Sequence, residues 1–191
     1  HQKLNLEELV DTVYRVRPRE NMDVNQWWIC DDGRYHLEGD KKKTRILVPH
    51  LRDNETLTET TWFSAITAIS ERIKSAGAGQ VVFIGSPYAS NEENYLLGKL
   101  AKGLNAGTDV SKPVAGDTQT FKTEMNKYPF TIETEKAPNF RGAKNALSLT
   151  DSKIDQSLSK KVVILLGSHN VDLKSKPETL IVLSSFEDAV T

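Results

Sequence analysis

Cysteine is nearly absent: Cys30 is the sole one among 191 residues. That excludes an internal disulfide framework and fits a reducing compartment. It also excludes a self-sufficient thiolate cluster, because three of the four ligands would have to come from elsewhere. An excess of either charge is missing as well. With 25 Lys and Arg against 26 Asp and Glu the formal net charge is -1, which removes the bulk electrostatic case for nucleic acid or an anionic membrane surface. No apolar run approaches the roughly 20 residues of a membrane-spanning helix. The longest, around Val162 to Gly167, has the length of a buried strand. No signal-peptide pattern follows His1, and that start reads as trimmed. What is present is a somewhat polar globular composition, 38% hydrophobic and 27% charged. It suffices for one domain of ordinary size, or one domain plus an appendage.

The pattern along the chain predicts two regions, 1–58 and 59–191. In the first, Val10 to Val16 reads as extended until Pro18 interrupts the ladder. Trp27-Trp28-Ile29-Cys30 is a compact apolar knot, with the aromatic pair expected in a core. Asp31 to Tyr35 has the chemistry of a tight reversal, and Arg45 to Pro49 is a second short extended stretch. The second region starts with a helix over 61–75. Its residues Trp62, Ala65, Ile66, Ile69 and Ile73 share one face, Thr60 or Thr61 caps it, and Gly77 or Gly79 ends it. A buried strand at Val81 to Ile84 runs into Gly85-Ser86-Pro87. The next helix starts near Asn91, where Ser90 and Glu93 have capping-box spacing, and carries a stripe of Tyr95, Leu96, Leu97, Leu100 and Leu104.

From Thr108 to Lys136 the chain is polar and weakly periodic, a long loop. A Pro138–Gly142 turn and a short helix near Ala143 to Leu149 follow. Val162 to Leu166 and Leu180 to Leu183 complete a set of three continuous apolar runs, as parallel strands covered on both faces require. The fold class expected is therefore α/β, a partial three-layer Rossmann-like parallel sheet with a small extended segment before it. The abrupt end at Ser184 to Thr191 reads as a strand-to-helix connection cut from something larger.

Few residues offer chemistry. Taken alone, Cys30 reads as a buried thiol behaving like a small hydrophobe; His36 is close, but one His and one Cys are too few for a metal. Gly85-Ser86-Pro87 before a capped helix occupies the place where doubly wound proteins bind phosphates. The dinucleotide glycine pattern is missing and Pro87 removes an amide donor, so the reading is a plain strand-to-helix turn. Lys41 to Lys43 form a solvated turn. His50 and His169 are isolated, and no Ser/His/Asp set can be drawn.

Several blocks, in order and spanning nearly the whole chain, resemble one family. The most specific runs from Arg17-Pro18-Arg19-Glu20-Asn21 through Asp23-Val24-Asn25 to Trp28-Ile29-Cys30-Asp31-Asp32-Gly33-Arg34-Tyr35, preceded by Val13 to Val16. Weaker ones are Leu47-Val48-Pro49 with Arg52, Thr61-Trp62 with Ala65, Asn91-Glu92-Glu93-Asn94-Tyr95, and Pro138-Asn139-Phe140-Arg141-Gly142. They are similar to the region past the iron–sulfur segment in the large iron–sulfur (G) subunit of bacterial NADH–quinone oxidoreductase, within the molybdopterin oxidoreductase superfamily. The resemblance implies that Cys30 is the last ligand of a 4Fe-4S cluster in the intact parent, with three cysteines upstream. It implies a scaffold and electron-conduit role without pterin, on a turn at Gly85-Ser86 that descends from a pterin-binding surface. Trp27, Trp28 and Arg34 become candidates for the cluster's shell. Residues 1–58 would adjoin the iron–sulfur region. The implied partners are the other subunits of a respiratory complex, and the implied place is cytoplasmic, peripheral to the inner membrane and not inserted in it. No cofactor, bound iron or NADH oxidation is expected of this chain alone. Two alternatives stand beside this reading: a fragment of a molybdopterin-dependent enzyme such as formate dehydrogenase, and a non-catalytic interaction domain.

Overall fold

The computed structural model describes residues 16–35, 45–53, 56–112, 119–121, 130–132, 137–167, 171 and 177–186. The chain divides into two compact units, His1–Arg45 and Ile46–Thr191.

In the first unit, Asn21 and Gln26 form an isolated antiparallel bridge that closes a turn, with Gln26 at φ 53°. Asn25 Nδ2 fastens this turn by donating to Arg19 O at 3.1 Å and Trp28 O at 3.0 Å. Asp31–Tyr35 is not the tight reversal expected but a five-residue helix, α1. Trp27 and Trp28 stack on each other with ring centroids 4.5 Å apart, yet they are 59% and 65% exposed, which corrects their expected place in a core. Among the described residues of this unit none is buried, so they offer no core for the indoles to enter. Of the extended stretch expected at Val10 to Val16, all but Val16 lies outside the described residues, as do Lys41 to Lys43, His36 and His169.

The second unit opens with an antiparallel hairpin, β1 (His50–Asp53) and β2 (Thr56–Glu59), in a register that pairs His50 with Glu59 and Asp53 with Thr56. Extended structure thus sits just after the stretch expected at Arg45 to Pro49. Helix α2 (Trp62–Ala76) follows, capped by the Thr61 side chain accepting from Ser64 N at 3.2 Å. It is left through Gly77 at φ 85°, a conformation that glycine tolerates best.

Its core is a four-stranded parallel sheet of β3 (Val81–Gly85), β4 (Gly107–Val110), β7 (Val162–Leu166) and β8 (Thr179–Leu183), ordered β4-β3-β7-β8. A separate antiparallel pair, β5 (Gln119–Phe121) and β6 (Phe130–Ile132), lies within the stretch read as a loop. Successive side chains of a strand point to opposite faces. Val81, Phe83, Val162 and Ile164 pack on one side beneath α2 and helix α3 (Asn91–Gly103), through Ile73, Ala76, Leu97 and Ala101. Val82, Ile84, Val163 and Leu165 pack on the other against Ile154 and Leu158 of the short helix α5 (Ile154–Ser157) and its cap. Helix α4 (Phe140–Ala146) brings Ala143, with Leu147 just beyond it, onto Val110 of β4. The sheet therefore carries helices on both faces, the α/β layering expected from three continuous apolar runs. Burying each such Val, Ile or Phe is worth about 1.5–3 kcal/mol, so these two layers dominate the unit's stability.

Of the five residues in the apolar stripe expected on α3, only Leu97 is buried, joined by Ala101, which the stripe does not include. Tyr95, Leu96, Leu100 and Leu104 are exposed. On α2, Ala65 is buried but Trp62 and Ile66 of the expected face are not. A helix lying on a sheet can press only a narrow arc against it, and these residues fall outside that arc.

Candidate functional site

Two places carry the groups singled out in the sequence. The first surrounds Cys30. Its thiol is exposed, contrary to the buried thiol that composition alone suggests. It lies at the start of α1, where Cys30 O accepts from Arg34 N at 3.1 Å and Cys30 Sγ accepts from Gly33 N at 3.3 Å. Gly33 permits that approach, since a Cβ there would meet Ile29 Cγ1 at 3.3 Å and the Cys30 sulfur at 3.5 Å. An accessible sulfur that accepts a backbone amide is suited to one corner of an iron–sulfur cluster. Among the described residues no group of three or more His, Cys, Asp or Glu side chains could hold a metal ion. Cys30 fits as one ligand and no more.

The second place is the carboxyl end of β3. The path goes from β3 out to β4 on one side and returns to β7 on the other. Such a reversal is where open α/β sheets bind ligands. Here the turn Gly85 to Ser90 is braced from within by Asn94, which is fully buried. Its Oδ1 accepts from Ser86 N at 3.1 Å, and its Nδ2 donates to Ser86 O at 3.0 Å and Ser90 O at 2.9 Å. Gly85 is required by this close packing: a Cβ there would run into Asn94 Oδ1 and Leu147 Cδ1. Asn139 ties the same turn from the side, its N donating to Pro87 O at 2.9 Å and its Nδ2 to Ala89 O at 2.8 Å. Gly142 leaves room beside it, since a Cβ there would collide with Asn139 Oδ1 and Asn91 Oδ1. The blocks Asn91 to Tyr95 and Pro138 to Gly142, far apart in sequence, thus meet at one turn.

Sequence reasoning missed Asp109 of β4. It is 2% exposed, and its Oδ2 accepts from Lys153 N at 3.1 Å and Ser157 Oγ at 2.6 Å. Ser152 Oγ adds a bond to Val110 O at 3.0 Å. The carboxylate thereby ties β4 to both ends of α5, taking the backbone amide of its N-cap residue Lys153 and the hydroxyl of its last residue Ser157. A shallow hollow of about 370 Å³ beside it is lined by Thr108, Asp151, Lys153, Gln156 and Lys160. Among the described residues no helix is long and apolar enough to cross a membrane.

No family model matches the chain. Comparison with curated proteins is more informative: the G subunit of NADH–quinone oxidoreductase from Rickettsia conorii is 29% identical over 130 residues, covering 68% of this chain and 17% of that protein. The chain is similar to that G subunit. Subunit 3 of the Thermus thermophilus NADH–quinone oxidoreductase is 38% identical over 90 residues, 47% of this chain and 11% of its own length. The alpha subunit of an F420-dependent formate dehydrogenase from Methanocaldococcus jannaschii is 29% identical over 90 residues, 47% of this chain and 13% of its own. The chain therefore spans about a sixth of the length of the first of these relatives. The resemblance to the G subunit read from its sequence blocks is borne out, and a likeness to formate dehydrogenase stands beside it.

Proposed function

We propose that this chain is a portion of the iron–sulfur subunit of an NADH–quinone oxidoreductase, in which Cys30 supplies the fourth thiolate of a 4Fe-4S cluster. The observation that carries the reading is the exposed Cys30 sulfur, engaged by the Gly33 amide, in a chain similar to the G subunit of such enzymes. When bound, the cluster supplies one-electron transfer. The chain's own contribution is to present one ligand, aim it, and donate a hydrogen bond to its sulfur, which stabilises the more reduced, more negative cluster. Trp27, Trp28 and Arg34 belong to the surrounding shell, and an exposed indole pair is available to pack against whatever covers the sulfur. In this reading residues 1–58 adjoin the iron–sulfur region and residues 59–191 form a partial Rossmann-like scaffold that braces neighbouring subunits. The assembly lies on the cytoplasmic side, peripheral to the inner membrane.

The test is a protein extended upstream to include a Cys-x2-Cys-x3-Cys run about thirty residues before Cys30. Iron, acid-labile sulfide and electron paramagnetic resonance are measured for it and for its Cys30→Ala variant. Loss of the cluster signal in the variant is expected; unchanged iron and an unchanged spectrum would end the ligand assignment. The 191-residue chain alone is expected to bind no stoichiometric iron and to oxidise no NADH. A second reading, a portion of a molybdopterin-dependent enzyme, is favoured by the likeness to formate dehydrogenase. Pterin released from the full-length protein would establish it and overturn the first.

A further inference from the structure

We propose that a leucine row on α3 and the first turns of α2 form a trough that seats an apolar helix from a part of the parent polypeptide outside this chain. The inference rests on reading the chain as a portion of a longer subunit. Leu96, Leu100 and Leu104 stand four residues apart on α3 and its C-cap, one above another along one flank. All three are exposed, although Leu97 and Ala101 beside them press on the sheet. The opposite flank is taken. There α4 lies against α3, and Gly98 is so near Leu147 that a Cβ would meet Leu147 Cδ2 at 3.2 Å. The close partners of α3 are β3, β4 and α4, and none of them covers the leucine flank.

On that side of α3 lies α2, over β7, and the two helices barely touch. With 15 residues against 5, α2 is about 22 Å long and β7 about 16 Å, so the helix outruns the strand it covers. Its last turns reach the core through Ile73 and Ala76. Its first turns do not, and Trp62, Phe63 and Ile66 are left more exposed than buried. Soluble proteins seldom leave so many large apolar side chains to water, and such a surface marks a place that something covers. Three features choose the occupant. A ridge of leucines four apart interdigitates with the ridges of another helix, and helices side by side complete the face of a sheet in this architecture. The six side chains carry no charge and the whole chain only -1, so nothing draws an anionic lipid surface. The Rickettsia conorii G subunit is matched over only 17% of its length. The rest of such a polypeptide is tethered to this unit, and tethering gives its helices a high effective concentration at the trough.

The experiment measures how fast a maleimide modifies a cysteine placed in the trough, Leu100→Cys, and one on the exposed outer side of the same helix, Lys99→Cys. Each is made in the 191-residue chain and in the full-length protein, and peptide masses count each site apart from Cys30. Passing from the chain to the full-length protein, Leu100→Cys is expected to slow by at least about tenfold, as a site reached only by local opening does, and Lys99→Cys by less than about twofold. An unchanged rate at Leu100→Cys would overturn the proposal, and so would equal slowing at both sites. A second copy in the trough would overturn it too. Leu100→Cys would then slow in the 191-residue chain as its concentration rises, with a dimer seen in sedimentation. If Leu100→Cys does not fold in the full-length protein, Leu96→Cys takes its place. Cluster loss in Cys30→Ala together with unslowed labelling of the trough would leave the iron–sulfur reading standing and sink this inference alone.

Discussion

Asn94 closes one turn with three bonds in a place shut off from solvent. Asn94→Ala is expected to cost about 1–3 kcal/mol, the penalty for stranding buried partners, read as a lower urea midpoint. Gly85→Ala should cost a similar amount, about 1–3 kcal/mol, by overpacking the same spot, and the two losses should not add because they act on one contact. Asp109→Asn gives up part of what the carboxylate does for Lys153 N and Ser157 Oγ, and about 1–3 kcal/mol should again be lost. These residues were legible to very different degrees. Cys30 announces itself by being solitary, although its exposure does not. Asn94 stands in a block that carries the family resemblance, but nothing in its spacing tells that it is a brace rather than a ligand. Asp109 lies in a polar stretch without periodicity, and only its bonds to residues more than forty positions away give it a role.

Helix starts were readable because capping is local chemistry. Thr61 and Ser90 do what their spacing to Ser64 and Glu93 says, and Ser90→Ala should lower stability by about 1 kcal/mol, visible as a shifted thermal midpoint. Strands were readable where burial on both faces makes the run continuous, as in β3 and β7. Strand β4 was not, since Gly107 looks like a helix end and Asp109 looks solvated, and its partner Val82 to Gly85 is remote in sequence. The hairpin β1–β2 escaped for another reason: its burial is so slight that no alternation is imposed on it. On α3, sequence periodicity marks which residues share a side, but not how wide the arc of contact is. Leu100, 54% exposed, should therefore tolerate Leu100→Gln within about 0.5 kcal/mol, whereas Leu97→Ala, on the buried side, should lose about 2–5 kcal/mol.

For the molecule as a whole, layering followed from composition and run length, but the order β4-β3-β7-β8 did not, because pairing of parallel strands is decided by crossovers and not by local pattern. Phe83 sits centrally in one layer at 2% exposure. Phe83→Ala should cost about 3–5 kcal/mol, a large share of the roughly 5–15 kcal/mol that holds a domain together, and denaturant unfolding will show how much margin the α/β unit has. The near-zero charge, -1, has its own expectation: no retention on a heparin or DNA column at about 0.15 M salt, where screening leaves little for a balanced surface. The tryptophans bear on how any of this can be followed. All three, Trp27, Trp28 and Trp62, stand at 59%, 65% and 68% exposure, so indole emission in the native protein already reports water. Iodide will quench it before any denaturant is added, and the colour of the fluorescence will shift little on unfolding. Far-ultraviolet dichroism, or an indole placed in the layer around Phe83, is what would register the loss of the fold.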